Sequence, residues 1–368
     1  MVLVNEPLLD GNEKKYLNEC IESGWISSEG PFVERFEKDM ASYVGRKYAT
    51  ACSSGSAAID IAVSALNLKE GDEVIMPSFT IISCALPLVK LGIKPVLIDS
   101  HFDTFNIKVS DIEQKITKKT KAIMIVHIFG LTVDVDPILA LARKYHLKVI
   151  EDAAEMHGQE YKGKKCGSFG DLSIFSFYPN KHITTGEGGM VLCDDESINF
   201  RTKSLRNLCF GEKRFVHEEI GFNYRMTNMQ AALGVAQLER IDKIVEKKRW
   251  IGHKYNSLLQ DFDMLNLPVK KTLLCDNIYW VYAITLKDDY QKNASQVMSE
   301  LSRYSIGTRP FFYPMHLQPV FNKAGLFHNE RLPNSESLYQ RGFYIPSGIA
   351  ITEMQINEVV SCLYKVLT

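Results

Sequence analysis

Short apolar segments alternate with helix-length segments between about residues 48 and 195. The apolar segments are rich in β-branched residues, and the predicted strands are residues 48–52, 73–77, 95–99, 122–127, 148–152, 172–177 and 189–193. The predicted helices between them include residues 56–68, 80–91 and 137–145. Strands that are apolar on both faces and separated by helices are typical of a parallel sheet covered on both sides. The pattern predicts an α/β fold with a mostly parallel central sheet.

A helical pattern follows over residues 227–260, where Met229, Leu233, Ala236 and Ile244 recur at helical spacing. The remaining predicted elements are a strand at 278–286, a helix at 294–304, a short strand at 343–345 and a helix at 352–366. We therefore predict a large α/β domain over residues 1–240 that binds the cofactor. A smaller C-terminal α+β domain is predicted over residues 241–368.

Composition narrows the class of protein. The 368 residues are 45% hydrophobic and 24% charged, with a net charge of −1, which is ordinary for a globular protein and gives no electrostatic case for binding nucleic acid or an anionic membrane. No apolar run reaches transmembrane length, and the first residues lack the features of a secretory signal. The eight cysteines are scattered, as expected for reduced thiols. We therefore predict a cytoplasmic protein.

The segment SSGSAAI, residues 53–59, joins a predicted strand to a predicted helix. Backbone N–H groups at a helix N-terminus suit a phosphate, and Gly55 would let the backbone approach such a group closely. Ser56 would cap the helix or donate its hydroxyl group. Taken alone, a plain serine cap without a ligand explains the segment better.

The segment VIEDAAEMHG, residues 149–158, places Asp152 and Glu155 at the carboxyl end of a predicted central strand, where ligands bind in open α/β sheets. A buried carboxylate is costly unless it meets a cation, and a protonated pyridine nitrogen would be such a partner. Acids stabilised by a helix dipole are the structural alternative. A metal site of Asp152, Glu155 and His157 lacks a known ligand spacing, so we predict no metal.

Lys181 lies in SIFSFYPNKHITTGEGGM, residues 173–190, between a predicted buried strand and a glycine-rich return. Most lysines are solvated surface charges, but one in this setting loses its proton more easily and can form an imine with an aldehyde. Ser176, a few residues earlier, could reach a phosphate of the same ligand. Asn223 and Arg225 precede the 227–260 helix, where an arginine suits phosphate or carboxylate recognition.

Together these features fit one cofactor, pyridoxal 5′-phosphate (PLP), which needs an amine for the imine, an anion against its ring nitrogen and a phosphate cup. Lys181 would supply the amine and Asp152 the anion. The phosphate cup would consist of Gly55, Ser56 and Ser176. The sequence has neither a G-x-G-x-x-G fingerprint nor a Walker A motif, so a dinucleotide or a P-loop nucleotide does not fit.

The order of these motifs resembles the DegT/DnrJ/EryC1/StrS family of sugar aminotransferases, over nearly the whole chain. Further matching segments are GWISSEGPFVERFE at 24–37, HIFG at 127–130, YKGKKCGSFGD at 161–171 and RPFFYPMH at 309–316. The resemblance implies the aspartate aminotransferase-like fold (PLP fold type I). It also implies a homodimer with shared active sites.

The resemblance implies a role for each matching residue. Lys181 would be the imine lysine and the proton shuttle, Asp152 would keep the ring nitrogen protonated, and Glu155, at a position that is often Gln in relatives, would bond the ring hydroxyl. Asn223 would reach the phosphate in the neighbouring subunit. Ile81 lies where many relatives stack an aromatic ring on the cofactor. The implied cofactor-binding set is Gly55, Ser56, Ile81, Asp152, Glu155, Ser176, Lys181 and Asn223.

The implied reaction transfers an amino group from glutamate, released as 2-oxoglutarate, to a keto sugar. The wording NKHITTGEGGM resembles most the branch that aminates GDP-4-keto-6-deoxymannose for a surface polysaccharide such as lipopolysaccharide. A non-nucleotide keto sugar such as an 8-keto-octulosonate is an alternative. The predicted substrate residues are Ser27, Arg225, Arg309, Tyr313 and His316. For the last three, a packed interdomain loop explains the sequence equally well.

Two other functions remain possible within the same resemblance. A PLP-dependent 3-dehydratase of deoxysugar pathways shares the fold but has histidine at the imine position, whereas this chain has Lys181 followed by His182. A non-enzymatic PLP-binding regulator would be fused to a DNA-binding segment, and the nearly neutral chain shows no added helix-turn-helix. The lysine therefore favours transamination.

Overall fold

A computed structural model describes residues 1–213 and 215–368. The strands are β1 Tyr48–Cys52, β2 Glu73–Pro77, β3 Lys94–Ile98, β4 Thr120–Val126, β5 Lys148–Asp152, β6 Glu160–Tyr161, β7 Lys164–Lys165, β8 Leu172–Ser176, β9 Gly189–Cys193, β10 Leu265–Asn266, β11 Tyr282–Leu286, β12 Arg309–Pro310 and β13 Gly342–Ile345. The helices are α1 Glu13–Ser23, α2 Pro31–Val44, α3 Gly55–Ala65, α4 Leu86–Lys90, α5 Val135–Tyr145, α6 Glu196–Arg206, α7 Asn228–Leu238, α8 Ile241–Leu259, α9 Ala294–Arg303, α10 Pro319–Lys323, α11 Pro333–Arg341 and α12 Glu353–Leu367. Short 3-10 turns lie at Ile82–Cys84, Val109–Asp111, Glu113–Lys115 and Met315–Leu317.

A seven-stranded sheet forms the centre, with strand order β1-β9-β8-β5-β4-β2-β3. The strands β8, β5, β4, β2 and β3 run parallel, while β9 pairs antiparallel with both β8 and β1. Alternate residues of β4 pack on opposite faces of the sheet. Ile123 lies in one hydrophobic cluster, and Ala122 and Met124 lie in another. A sheet buried on both faces is what the continuous apolar strands predict, so the mostly parallel α/β fold is confirmed.

A second, antiparallel sheet has the order β10-β11-β13-β12 and lies within residues 265–345. Helices α9 and α12 pack with it around a third hydrophobic cluster that includes Val297, Leu301 and Leu363. This arrangement matches the predicted α+β character of the C-terminal region. The boundary between residues 240 and 241 stays a prediction.

The N-terminal segment, residues 2–6, runs across this second region. Val2 pairs with Ile306, and the carbonyl of Val4 accepts a hydrogen bond from the N–H of Ser347 at 3.1 Å. The side-chain amide of Asn5 donates to the carbonyl of Pro179 at 2.9 Å. The first residues therefore join the C-terminal region to the loop that leads to Lys181.

Two predicted helices are wrong in detail. The helix predicted over residues 227–260 is two helices, α7 and α8, because Arg240 leaves the helical conformation with φ −119° and ψ 7°. Both residues at the break are engaged by the N-terminal part of the chain: Glu239 accepts hydrogen bonds from Asn12 and Tyr16, and Arg240 forms an ion pair with Asp10.

The helix predicted over residues 80–91 is a 3-10 turn followed by the five-residue α4. Pro87 stands in the first turn of α4, and proline has no N–H group with which to continue a preceding helix. Within residues 1–213 and 215–368, no helix combines the length and apolar character needed to cross a membrane.

Candidate active site

A cavity of about 410 Å³ lies at the carboxyl ends of β4, β5 and β8. The edge is the one at which open α/β sheets bind ligands. Of the predicted cofactor-binding residues, all except Asn223 line this cavity: Gly55, Ser56, Ile81, Asp152, Glu155, Ser176 and Lys181. The structure therefore brings together residues that are more than a hundred positions apart in the sequence.

The N-terminus of α3 forms one wall of the cavity. Ser54, rather than Ser56, caps the helix, because its hydroxyl accepts a hydrogen bond from the N–H of Ala57 at 3.1 Å. A Cβ atom on Gly55 would stand 2.6 Å from Cβ of Ser176, so only glycine fits there. Gly189 is equally restricted, since its Cβ would collide with the carbonyl of Ser54. Close packing of small residues leaves backbone N–H groups of a helix N-terminus facing open space, which suits a phosphate.

Lys181 and Glu155 form the second wall. The Nζ atom of Lys181 lies 3.8 Å from Oε1 of Glu155, and both side chains are about nine-tenths buried. Burial raises the pKa of Glu155 to about 7, against the opposing effect of the Lys181 charge. Burial likewise lowers the pKa of Lys181, and the neighbouring carboxylates oppose this shift. A lysine of this kind supplies the neutral amine that reacts with a carbonyl group more readily than a solvated lysine does.

Asp152 lies at the floor of the cavity and is 3% exposed. Its carboxylate accepts a hydrogen bond from the N–H of Ala154 at 3.0 Å and from the thiol of Cys84 at 3.3 Å. Burial raises the pKa of Asp152, and the two hydrogen bonds oppose the rise. A carboxylate destabilised by burial gains from a cationic partner, and the protonated ring nitrogen of PLP is such a partner.

These residues fit PLP on three separate observations: the close approach of Gly55 at the α3 N-terminus to Ser176, the buried amine of Lys181 and the buried carboxylate of Asp152. When bound, PLP supplies an electrophilic carbon and a ring that withdraws electrons. The chain would supply the amine of Lys181, the counter-charge of Asp152 and the helix N-terminus. Ile81 is 47% exposed at the cavity, so its aliphatic side chain is free to pack on a ligand.

The predicted substrate residues lie outside this cavity in the single chain. Ser27 is exposed, and Arg225 donates to the side-chain carbonyl of Asn207 at 2.7 Å in a separate cleft of about 830 Å³. Asn223, the remaining predicted cofactor-binding residue, is exposed and forms an isolated backbone β-bridge with Asn207. Arg309 is exposed on β12, directly opposite Tyr344 of β13, and Tyr344 lines the cavity.

Tyr313 and His316 are occupied by other residues of the chain. The ring of Tyr313 packs edge-on against Tyr339, with centroids 4.7 Å apart. His316 is 2% exposed and is hydrogen-bonded on both ring nitrogens, to Ser78 at 2.9 Å and to Glu336 at 3.1 Å. Its imidazole therefore connects α11 to the loop after β2, and neither nitrogen faces the cavity. Their predicted contacts with substrate stay predictions.

His127 and Glu151 form a buried pair beneath the cavity. The Nε2 atom of His127 lies 3.1 Å from Glu151, and its Nδ1 accepts from the N–H of Val133. Glu151 also accepts from the N–H groups of Gly167 and Phe169. Together with Cys166 they are the sole group of potential metal ligands within residues 1–213 and 215–368, and these hydrogen bonds already use the imidazole and carboxylate atoms. The pair therefore holds the loop after β7 beside the strand end that carries Asp152.

Several cavity residues were not predicted from the sequence. They include aromatic residues and an amide: Tyr178, Asn180, Trp280, Phe312 and Tyr344. Trp280 precedes β11, about a hundred residues after Lys181, and its ring centroid lies 3.8 Å from the Lys181 Nζ atom. The local sequence YWVYAI reads as the start of a strand and carries no sign of this contact.

Comparison with known proteins supports the same assignment. The family model of the DegT/DnrJ/EryC1/StrS aminotransferase family matches residues 7–364. GDP-perosamine synthase of Vibrio cholerae is 41% identical over 367 residues, covering 99% of this chain and 98% of that protein. GDP-perosamine synthase of Caulobacter vibrioides is 40% identical, covering 100% and 98%.

A solved structure shows the same fold. Spr1654 of Streptococcus pneumoniae, in its PLP form, superposes with a TM-score of 0.91, covering 100% of both chains at 21% identity. This likeness supports the aspartate aminotransferase-like fold predicted from the sequence, and the family match supports the cofactor. The chain belongs to the DegT/DnrJ/EryC1/StrS aminotransferase family and is a PLP-dependent sugar aminotransferase.

Proposed function

We propose that this enzyme aminates GDP-4-keto-6-deoxymannose, with glutamate as the amino donor, and so forms GDP-perosamine for a surface polysaccharide such as lipopolysaccharide. The observation that carries the proposal is the 40–41% identity to two GDP-perosamine synthases over essentially the whole chain. The matches cover 98% of each of those proteins, so they include the whole of the chain region that forms the cavity. A non-nucleotide keto sugar such as an 8-keto-octulosonate is the alternative substrate.

The site residues have separate roles in this proposal. Lys181 moves the proton between the donor carbon and the cofactor, and its buried amine supports that role. Asp152 balances the charge of the ring nitrogen, and Glu155 bonds the ring hydroxyl. The α3 N-terminus at Gly55 and Ser56, together with Ser176, binds the phosphate.

The substrate proposal is tested by offering GDP-, UDP- and dTDP-linked 4-keto-6-deoxy sugars with glutamate and following 2-oxoglutarate release. We expect turnover with the GDP sugar, and a kcat/KM for the other two that is lower by about tenfold or more, since a mismatched base leaves buried polar groups unpaired. Lys181→Ala should lose turnover in every case. Turnover with only an unactivated sugar acid would contradict the proposal, and release of water without amino transfer would indicate a dehydratase.

We further propose that the enzyme works as a homodimer in which each subunit completes its partner's site. Ser27, Asn223 and Arg225 lie outside the cavity of their own chain, as shared sites require. The same two segments of the chain expose large apolar side chains: Trp25, Ile26, Phe210, Val216 and Ile220. Apolar surface of this kind marks a protein interface.

Mixing two inactive variants tests the shared site. Asn223→Asp places a negative charge where a phosphate is proposed, and Lys181→Ala removes the amine. If the sites are shared, about a quarter of the sites in an equilibrated mixture combine an intact Lys181 with an intact partner residue, so activity returns. Mixtures that stay inactive, while each variant is dimeric by sedimentation, would contradict sharing.

We also propose that the enzyme works in the cytoplasm. All eight cysteines are free thiols, and seven of them are buried, which suits a reducing environment.

We propose a domain boundary between residues 240 and 241. The proposed large domain carries the seven-stranded sheet, and the small domain carries the four-stranded sheet.

A further inference from the structure

The amine of Lys181 is held between two groups of opposite character. On one side Oε1 of Glu155 lies 3.8 Å from Nζ, and on the other side the centroid of the Trp280 ring lies 3.8 Å from the same atom. The Lys181 side chain is 10% exposed. An ammonium group over the face of an indole ring is stabilised by the ring's quadrupole, and this effect is larger where water is excluded.

The Trp280 ring is itself fixed in place. Its Nε1–H donates to the carbonyl of Asn180 at 2.8 Å, which ties the ring to the residue directly before Lys181. The ring also stacks on Phe129, with centroids 5.9 Å apart and an interplanar angle of 28°. Trp280 is 4% exposed, so the ring has little freedom to turn away. One residue therefore contacts both the Lys181 amine and the backbone of its loop.

Other ionisable groups face the same amine. Glu155, Asp152 and the Cys84 thiol favour its charged form. Burial lowers the pKa of His157 and of His182, and the charge of Lys181 adds to this effect in both. The carboxylates and the thiol can exchange protons, and the pKa of Glu155 is about 7, so part of the Glu155 population is neutral near neutral pH. The indole ring of Trp280 attracts the ammonium form of Lys181 and takes no proton from it.

We propose that Trp280 is the positioning residue of the Lys181 amine: its ring holds the ammonium group over the cavity when the lysine is protonated and is not bonded to the cofactor. This inference rests on the proposed role of Lys181. Transamination releases the lysine in each half of the reaction, and the lysine must then carry a proton without leaving the site. The ring keeps the amine close to the cavity. The hydrogen bond to the Asn180 carbonyl fixes the position of the ring relative to the loop that carries Lys181.

A first experiment needs no cofactor. The chain has three tryptophans, so Trp25→Phe with Trp250→Phe leaves Trp280 as the single emitter. We expect the emission of this cofactor-free protein to change with pH as Lys181 loses its proton beside the ring, in addition to any change that follows the titration of Glu155. Adding Lys181→Met should remove the lysine contribution. An emission that is independent of pH, or a pH profile that Lys181→Met leaves unchanged, would overturn the proposal.

A second experiment uses the rate at which cofactor-free protein takes up PLP. The rate rises with pH as Lys181 becomes neutral, and its midpoint reports the pKa of the free amine. Removing the ring removes a stabilisation of the charged form, so Trp280→Leu should move the midpoint to lower pH by about 0.5 to 1.5 units. Trp280→Phe should give a smaller shift, since phenylalanine is a weaker ring and keeps the packing.

The chain offers a matched control at its surface. Lys247 stands 3.9 Å from the Trp250 ring centroid, and Trp250→Phe should leave the midpoint where it is. A purely structural role for Trp280 would lower stability without moving the midpoint, and an unchanged midpoint in folded Trp280→Leu and Trp280→Phe protein would overturn the proposal. If Lys181→Met took up PLP as the unchanged protein does, the assigned role of Lys181 would fail instead, so the two failures are distinguishable.

Discussion

Cβ of Ser176 lies 2.6 Å from the position that a Cβ atom would take on Gly55. The two residues come from different elements, the end of β8 and the first turn of α3, and the contact sets how close the helix N-terminus stands to the strand. The proposed phosphate cup therefore depends on the absence of a side chain at Gly55. A methyl group at this point has no room, and the helix would have to move.

Gly55→Ala should weaken PLP binding. Overpacking of this kind costs about 1–3 kcal/mol, which corresponds to a rise of about 5- to 150-fold in the dissociation constant. The measurement is a titration of cofactor-free protein by absorbance. Ser176→Gly provides the control, because it removes the colliding atom. Gly55→Ala should do less harm in that background, and equal harm in both would show that the collision is not the cause.

Asp152→Asn should lower kcat by about a hundredfold or more, the loss typical of removing one preorganised electrostatic contact. The amide keeps the shape of the carboxylate but cannot balance the charge of a ring nitrogen. Cys84→Ala is the control, because it deletes the thiol hydrogen bonds to Asp152 and Thr80 but keeps the carboxylate, and it should cost about fivefold. The measurement is kcat from steady-state kinetics at saturating substrate. Near-normal turnover of Asp152→Asn would remove Asp152 from the proposed mechanism.

Glu155 should make the cofactor-free protein less stable as pH rises. Burial raises its pKa from an ordinary value of 4.5 to about 7 in the folded protein, so the folded state binds the proton more tightly than the unfolded state. Its stabilising contribution is present below about pH 4.5 and is lost as pH rises through about 7. Glu155→Gln still accepts from the N–H of Phe129 but does not titrate. Thermal melts should show the unchanged protein losing stability relative to Glu155→Gln over this window, and parallel curves would contradict the assignment.

Lys248 should show the opposite dependence on pH. It is 2% exposed, and its Nζ atom donates to the carbonyl of Ser347, while burial lowers its pKa from 10.5 to about 7. A depressed lysine pKa gives stability that is present above about pH 10.5 and is lost as pH falls through about 7. Relative to Lys248→Met, the protein should therefore gain stability between pH 7 and 10.5. Lys243→Met, at an exposed position on the same helix, is the matched control for the loss of a lysine charge.

The sequence predicted most strands well because each is a short, continuous apolar run. The predicted segment 148–152 is the observed β5, and the predicted segment 189–193 is the observed β9. A strand buried on both faces is apolar at nearly every position and ends at turn residues, so it stands out from the sequence around it. The residues that cluster at the ends of these strands, Asp152 and Ser176, could therefore be placed in one site before the fold was known.

The helix predicted over residues 227–260 failed for a reason that the local pattern does not contain. Helical periodicity continues through Glu239 and Arg240, but the partners that hold these side chains, Tyr16 and Asp10, come from the beginning of the chain. Trp280 illustrates the same limit at the active site. Its contact with Lys181 spans 99 positions, and the chain around it reads as an ordinary strand. Tertiary contacts of this kind override local preference.

The hydrogen bond from Asn5 to Pro179 gives the beginning of the chain a mechanical link to the reactive amine. Only one residue separates Pro179 from Lys181, and residues 2–6 are also tied to Ser347 and Ile306. An affinity tag or a fusion partner attached ahead of Met1 would therefore continue a segment that is hydrogen-bonded to the lysine loop. For this enzyme, the choice of which terminus carries an added sequence is itself a choice about the catalytic centre.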